Sequence, residues 1–219
     1  NGDTHPMSER MRMVFETDHC RNASPSTVSR IGFVYVSQAA LPWKCLMNAW
    51  LSLRKEKISA AMGDFMPRIT SGALDAVYKQ TPLLVTYEKV TLVTNMLNLL
   101  TCLVRPLEIS KVIPNSDHLE RLLLFSVCWA FGSMLERDQR LRFETEIRRL
   151  SALLPAPDTG GIFDNQVSKD GTWVQWKATM TRWTFPQDRT PRIGKLVVPT
   201  PENTRSTWLL QMLTQNEHP

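Results

Sequence analysis

Apolar residues recur at helical spacing from Leu41 to about Leu154 and follow shorter, β-type runs on either side. Pro42 predicts the start of a helix carrying Trp43, Leu46, Met47, Trp50, Leu51 and Leu53. The 58–80 stretch predicts one or two shorter helices broken near Pro67. Thr81-Pro82 then opens a long helix, with Val90, Val93, Leu97, Leu100 and Val104 spaced 3, 4, 3, 4 and a second row of Met96, Leu99 and Leu103. Asp117 and Glu120 have the spacing of a capping box ahead of Leu122–Phe131, whose apolar character nearly all round predicts a central core helix. Residues 139–150 predict an amphipathic helix with an Arg/Glu outer face, and the Met, Trp and Leu residues of all these stripes read as core.

The flanks have a different period. Arg12-Met13-Val14-Phe15 and Ile31-Gly32-Phe33-Val34-Tyr35-Val36 read as short strands, with a helix of one to two turns at 24–30 between them. Ser24 suits its N-cap and Pro25 its first position. Together these pieces suggest part of a parallel βαβ unit, and two strands are too few for a stable sheet, so the unit is expected to be incomplete at its N-terminus. Beyond Pro155 and Pro157, the runs 162–167 and 172–176 flank Ser168-Lys169-Asp170-Gly171, a β-hairpin signal. Trp173 and Trp183 could stack bases, but no Lys/Arg groove accompanies them, and packing of the hairpin on a neighbour fits better. A Pro/Arg/Thr-rich linker (184–192), a short strand (195–200) and an amphipathic helix (202–215) with Trp208, Leu209, Met212 and Leu213 follow, and the chain is expected to stop before its next element. The fold class expected is α+β and predominantly helical.

The chain has 219 residues and a formal charge of +5, which raises nucleic acid as a partner. The positive charges, however, are interleaved with acids, as in Glu136-Arg137-Asp138-Gln139-Arg140-Leu141-Arg142-Phe143-Glu144, a solvated helix face rather than a phosphate-tracking stripe. Cys20, Cys45, Cys102 and Cys128 form no CxxC pair and read as reduced thiols, and His19-Cys20 is too isolated for a zinc site. Asn22-Ala23-Ser24 matches a glycosylation acceptor by chance. The longest apolar run, Leu122 to Phe131, is too short to span a bilayer. No metal, membrane or nucleic acid is expected.

One residue invites a chemical reading. Arg30 stands at the helix-to-strand junction beside Gly32, where a guanidinium can reach outward, and phosphate is the partner its planar fork fits best. The chain has no phosphate-binding loop, so that phosphate would belong to something else.

The order of pieces resembles a dynein heavy chain, from the end of its second AAA+ module to the start of its third. The likeness rests on Asn1-Gly2-Asp3, Met11 to Glu16, Ala23 to Arg30 with its SPSTVSR box, Phe163-Asp164, Gly171 to Trp176, and Leu196 to Thr200 with Asn203-Thr204-Arg205. It implies four parts: the C-terminal part of the second module's large subdomain (1–40), a helical lid (41–157), a hairpin and linker (158–192) and the start of the third module (193–219). It implies a motor segment that uses ATP/ADP with Mg, in the intact chain only, for minus-end-directed movement on microtubules, with neighbouring AAA+ modules of the same chain as partners and no activity in the isolated segment. By the same resemblance, Arg30 is an arginine finger acting in trans on the first module's ATP. Arg121 is placed as a second sensor, unless it is simply ion-paired beside Glu120, and Pro199 and Thr200 lie near the third module's adenine. Glu16 stands where many AAA+ ATPases place Asn or Thr, and a carboxylate there fits a second module that binds ATP without hydrolysing it. The lid and hairpin linker look closer to axonemal than cytoplasmic heavy chains, which implies a cytoskeletal, ciliary or flagellar location. Two readings from the residues alone stand beside this: a helical scaffold or adaptor without a nucleotide role, and a basic nucleic-acid module.

Overall fold

The computed structural model describes residues 6–17, 19–36, 41–80, 88–110, 114–185, 196 and 198–216, and divides the chain into two units, Asn1–Ala40 and Leu41–Pro219. In the first, the only helix among the described residues is α1 (Pro25–Val28). Ser24 caps it: its hydroxyl accepts the Thr27 N–H at 3.1 Å and lies 2.9 and 2.8 Å from the hydroxyls of Ser26 and Thr27. The segments 12–15 and 31–36, expected as strands, are not strands. A strand satisfies its backbone groups on a neighbouring strand, and among the described residues neither segment has one, so β-type composition alone does not produce a ladder. Val14, Val34 and Tyr35 are accordingly 95%, 90% and 89% exposed.

In the second unit five helices build the core: α2 (Trp43–Ser52), α3 (Glu56–Tyr78), α4 (Lys89–Ile109), α5 (Ser116–Gly132) and α6 (Arg137–Leu150). Helix α5 packs on both α3 and α4, α6 lies against α3, and α2 bridges α3 and α4. Met62, Met66, Ile69, Leu100, Leu123, Val127, Phe131, Phe143 and Ile147 are sealed in the centre, and each such side chain contributes roughly 1.5–3 kcal/mol by leaving water. Two polar groups caught there are paired: Ser126 donates to the Leu122 carbonyl at 2.8 Å, and the Trp50 indole N–H donates to Thr101 at 2.7 Å. Helix α4 is long and apolar enough to cross a membrane by composition, but Leu92, Val93, Met96, Leu97, Leu99 and Leu100 are buried inside the protein.

Three expectations are corrected here. Helix α3 is continuous through Pro67, where one or two broken helices were expected. Gly63, Asp64, Pro67 and Arg68 all lie on the exposed stripe, so the Gly63 carbonyl that loses its partner faces water, while Met62, Phe65 and Met66 before the proline and Ile69, Thr70 and Ala73 after it are buried. The cap of α5 is Asn115, whose side chain accepts the His118 N–H at 2.7 Å, rather than Asp117 paired with Glu120. Asp117 stands instead in the first turn, favourable to the helix dipole, and Glu120 accepts the Ser151 hydroxyl at 2.6 Å. The expected strand at 195–200 is absent at the described positions, 196 and 198–200, and among the described residues no strand pairs with them. The helix start expected at Thr81-Pro82 lies outside the described residues.

After α6 the chain turns through two short 3-10 segments into an antiparallel hairpin of β1 (Asn165–Val167) and β2 (Trp173–Gln175), with Val167 opposite Trp173. Its loop closes through Ser168 N–H to Thr172 O (2.8 Å) and Gly171 N–H to Ser168 O (3.0 Å), with Gly171 at φ +79°. That geometry is a turn followed by a glycine bulge, the left-handed residue supplied by Gly171. Three bonds seat the hairpin and its lead-in on the bundle. The Trp173 indole donates to Leu153 O at 2.6 Å, and Arg121 donates to Gly171 O at 3.0 Å. The third is from the Ile162 N–H to Glu144, which is also ion-paired with Arg148 at 2.6 Å. Beyond it, α7 (Trp176–Thr179) and α8 (Pro201–Gln215) form a second cluster, in which Trp208, Leu209, Met212 and Leu213 cover Leu99, Phe125 and Trp176.

Candidate functional site

Arg30 follows α1 by two residues, and its own N–H bonds back to Thr27 O at 3.1 Å. Ser29 donates to Ser26 O at 3.0 Å, so the serine and threonine hydroxyls of the SPSTVSR box are spent on holding the turn. The Arg30 side chain is exposed, and among the described residues no hydrogen bond or ion pair engages its guanidinium. Glu16, in the same unit, is likewise exposed. A rigid turn that presents an unpaired, permanently charged fork can deliver it to an anionic partner with little further ordering.

Arg121 does not pair with Glu120. One guanidinium nitrogen donates to Gly171 O at 3.0 Å and the other lies 3.8 Å from Asp117, one turn earlier on α5. His118 is buried beneath the same turn. Burial, reinforced by the Arg121 charge and opposed by Asp170, holds its imidazole below its ordinary value. Arg121 therefore fastens the hairpin turn to the bundle. Thr200 caps α8: its hydroxyl accepts the Asn203 N–H at 3.2 Å, its own N–H donates to Asn203 Oδ1 at 2.8 Å, and Asn203 Nδ2 reaches Val198 O at 2.8 Å. Pro199 is half-buried beside it. The structure thus brings Pro199 and Thr200 together at one helix start and leaves Arg121 at the hairpin.

A constellation that sequence reading missed surrounds Phe163. Its ring approaches Gly132 so closely that a Cβ there would fall 2.5 Å from it, and it meets Trp129 edge-on at 5.3 Å. Arg140 lies over the Phe163 ring at 5.2 Å and donates to Gly132 O at 3.0 Å. Arg205 lies over Trp129 at 5.5 Å and reaches Phe163 O at 3.5 Å. Burial, followed by the Arg205 charge, lowers Arg140 from its ordinary value. No spacing along the chain foretells that residues 140 and 205 share a site. The one available signal was the Asn203-Thr204-Arg205 box.

Known proteins bear on this arrangement. The family described as Dynein heavy chain AAA lid domain matches residues 62–178, more than half of the chain, from within α3 to within α7. The chain is 27% identical over 220 residues to dynein axonemal heavy chain 8 of Mus musculus, covering 98% of this chain and 5% of that protein. It is 29% identical over 231 residues to dynein axonemal heavy chain 8 of Homo sapiens, with the same two shares. To the dynein gamma chain, flagellar outer arm, of Chlamydomonas reinhardtii it is 29% identical over 216 residues, 97% of this chain and 5% of that one. It thus spans about 5% of the length of these relatives. With its helical bundle and hairpin matched together, the chain belongs to the dynein heavy chain AAA lid domain family.

Proposed function

We propose that this lid segment works within the ATPase ring of an axonemal dynein, and that Arg30 acts in trans on the ATP held by the neighbouring first module. In this reading 1–40 closes the second module's large subdomain and 41–157 is its lid. Residues 158–192 are the hairpin and linker, and 193–219 begin the third module. The chain carries no GxxxxGK[ST] loop, and among the described residues no group of three or more His, Cys, Asp or Glu could hold a metal ion. In this reading the phosphates of each ATP and its Mg are held by parts of the heavy chain other than this segment, which contributes side chains at their edge.

The single observation that carries the reading is the exposed guanidinium of Arg30, without a partner among the described residues, on its hydroxyl-locked turn. Negative charge spreads over the γ-phosphoryl oxygens as the bond to the leaving group loosens, and a guanidinium already in place stabilises it, by roughly 10³–10⁵ in rate for such fingers. Glu16 and Arg121 would face the second module's nucleotide, the former disfavouring hydrolysis by its charge. Arg121, with one N–H on Gly171 O and its other Nη toward Asp117, would meet a phosphate with the N–H groups that remain. Pro199 and Thr200 would flank the third module's adenine through backbone and ring shape, since the Thr200 hydroxyl is committed to α8. Axonemal and flagellar names among the relatives support a ciliary or flagellar site of work, and microtubule movement follows from the motor reading. In the full heavy chain carrying this segment, Arg30→Ala should depress microtubule-stimulated ATP turnover far more than ATP affinity; unchanged turnover removes the assignment.

A further inference from the structure

Among the described half-buried arginines of the helical unit, three follow a rule and two depart from it. Arg54, Arg121 and Arg148, with side chains 14%, 23% and 31% exposed, face Glu108, Asp117 and Glu144 respectively. Arg140 and Arg205 are equally half-buried, yet among the described residues neither forms an ion pair. They arrive from α6 and α8 at the Trp129–Phe163 pair and are held there by ring faces and by two backbone carbonyls, those of Gly132 and Phe163. Nearby carboxylates are directed elsewhere: Asp164 Oδ2 accepts the Gly161 N–H at 3.0 Å, while Glu136 and Glu202 stand exposed at the starts of their helices.

We propose that Arg140 and Arg205 form a binding site for a phosphate-class dianion, distinct from any nucleotide role of Arg30. Two guanidiniums brought to one residue, Arg140 on the Phe163 ring and Arg205 on its carbonyl, call for two negative charges, which a phosphate dianion supplies and a single carboxylate does not. Ring stacking and one backbone bond fix each fork while leaving N–H groups to donate: both Nη atoms of Arg140, and Nε and Nη2 of Arg205, have no protein acceptor among the described residues. None of these atoms is sealed from solvent, since the unpartnered buried side-chain nitrogens among the described residues belong to Arg54, Trp129 and Trp176. Burial, and after it the Arg205 charge, lowers Arg140 from its ordinary value, and a bound anion would oppose that shift.

Titration of the 219-residue chain with inorganic phosphate, followed by ³¹P NMR or calorimetry at ionic strength matched with chloride, tests the site. Saturable binding is expected, weakened about tenfold or more by Arg205→Gln and by Arg140→Gln and unchanged by Arg149→Gln, whose arginine is paired with Glu146 on the outer face of α6. Arg205→Lys keeps the charge, and with it the fold, but loses the fork, and should fall between. O-phosphoserine in a parallel arm separates the sources: preference for it marks a phosphorylated side chain, preference for inorganic phosphate a free ion. Binding that does not saturate, or that persists in both glutamine variants when circular dichroism shows them folded, overturns the proposal.

Discussion

Gly171→Ala probes how the hairpin is seated on the bundle. At φ +79° the substituted residue would hold a left-handed conformation costing an L-residue about 1–2 kcal/mol. Its new Cβ would fall 2.6 Å from His118 Cγ and 2.9 Å from His118 Cβ. His118 is 6% exposed and fixed in the first turn of α5, so relief requires either the hairpin or the helix to shift, an overpacking cost of roughly 1–3 kcal/mol. The total is about 2–5 kcal/mol. Urea unfolding followed by tryptophan fluorescence gives that number, and a double-mutant cycle with His118→Ala divides it. Removing the imidazole relieves the 2.6 Å approach to Cγ but keeps the 2.9 Å approach to Cβ, so the cost should fall toward, without reaching, the conformational part of about 1–2 kcal/mol. A cost under about 1 kcal/mol, or the same cost in both backgrounds, would refute the packing argument.

His118 is held below its ordinary value of 6.5 by burial and by Arg121, so the unfolded chain takes up its proton first: its contribution to stability should be whole above pH 6.5 and decline as pH falls toward the lowered folded value, and His118→Gln should flatten that slope in pH-dependent unfolding. Pro67→Ala restores an N–H to the Gly63 carbonyl on the exposed stripe of α3 and should stabilise the chain by roughly 1–3 kcal/mol in thermal unfolding, a loss of stability contradicting the account of the unbroken helix. In native thiol labelling, exposed Cys20 and Cys45 should react while buried Cys102 and Cys128 stay protected until denaturant is added, and burial, reinforced by Glu144, raises Cys128 well above the usual thiol range.

Much of the bundle is legible along the chain because its elements are defined by local periodicity. The 3, 4 spacing through Val93, Leu97, Leu100 and Val104 names the buried face of α4, and Asp170-Gly171 between two aromatic runs names the hairpin. What failed locally depends on which way a residue faces. Pro67 would break a helix whose proline side was buried; on the exposed stripe the freed carbonyl is hydrated and α3 continues. Spacing named Asp117 with Glu120 as the cap of α5, whereas Asn115 caps it and Glu120 accepts from Ser151, 31 residues away. The segments 12–15 and 31–36 have strand composition, but pairing is a property of two segments and not of one. The same holds for the sites. Arg30 could be singled out by its junction with α1, whereas Arg121, Arg140 and Arg205 take their contacts from partners 50, 8 and 42 residues distant, which local spacing does not reveal.

The central claim is that Arg30 stabilises charge on a neighbour's ATP rather than holding a local structure. Its most direct test is single-turnover ATP hydrolysis by the full heavy chain with Arg30→Ala, with and without added guanidinium at low millimolar concentration. The account predicts unaltered ATP binding, a chemical step slowed by roughly 10³ or more, and partial recovery when free guanidinium fills the vacated place. A slowed step that guanidinium does not recover, or a step that is not slowed at all, contradicts it.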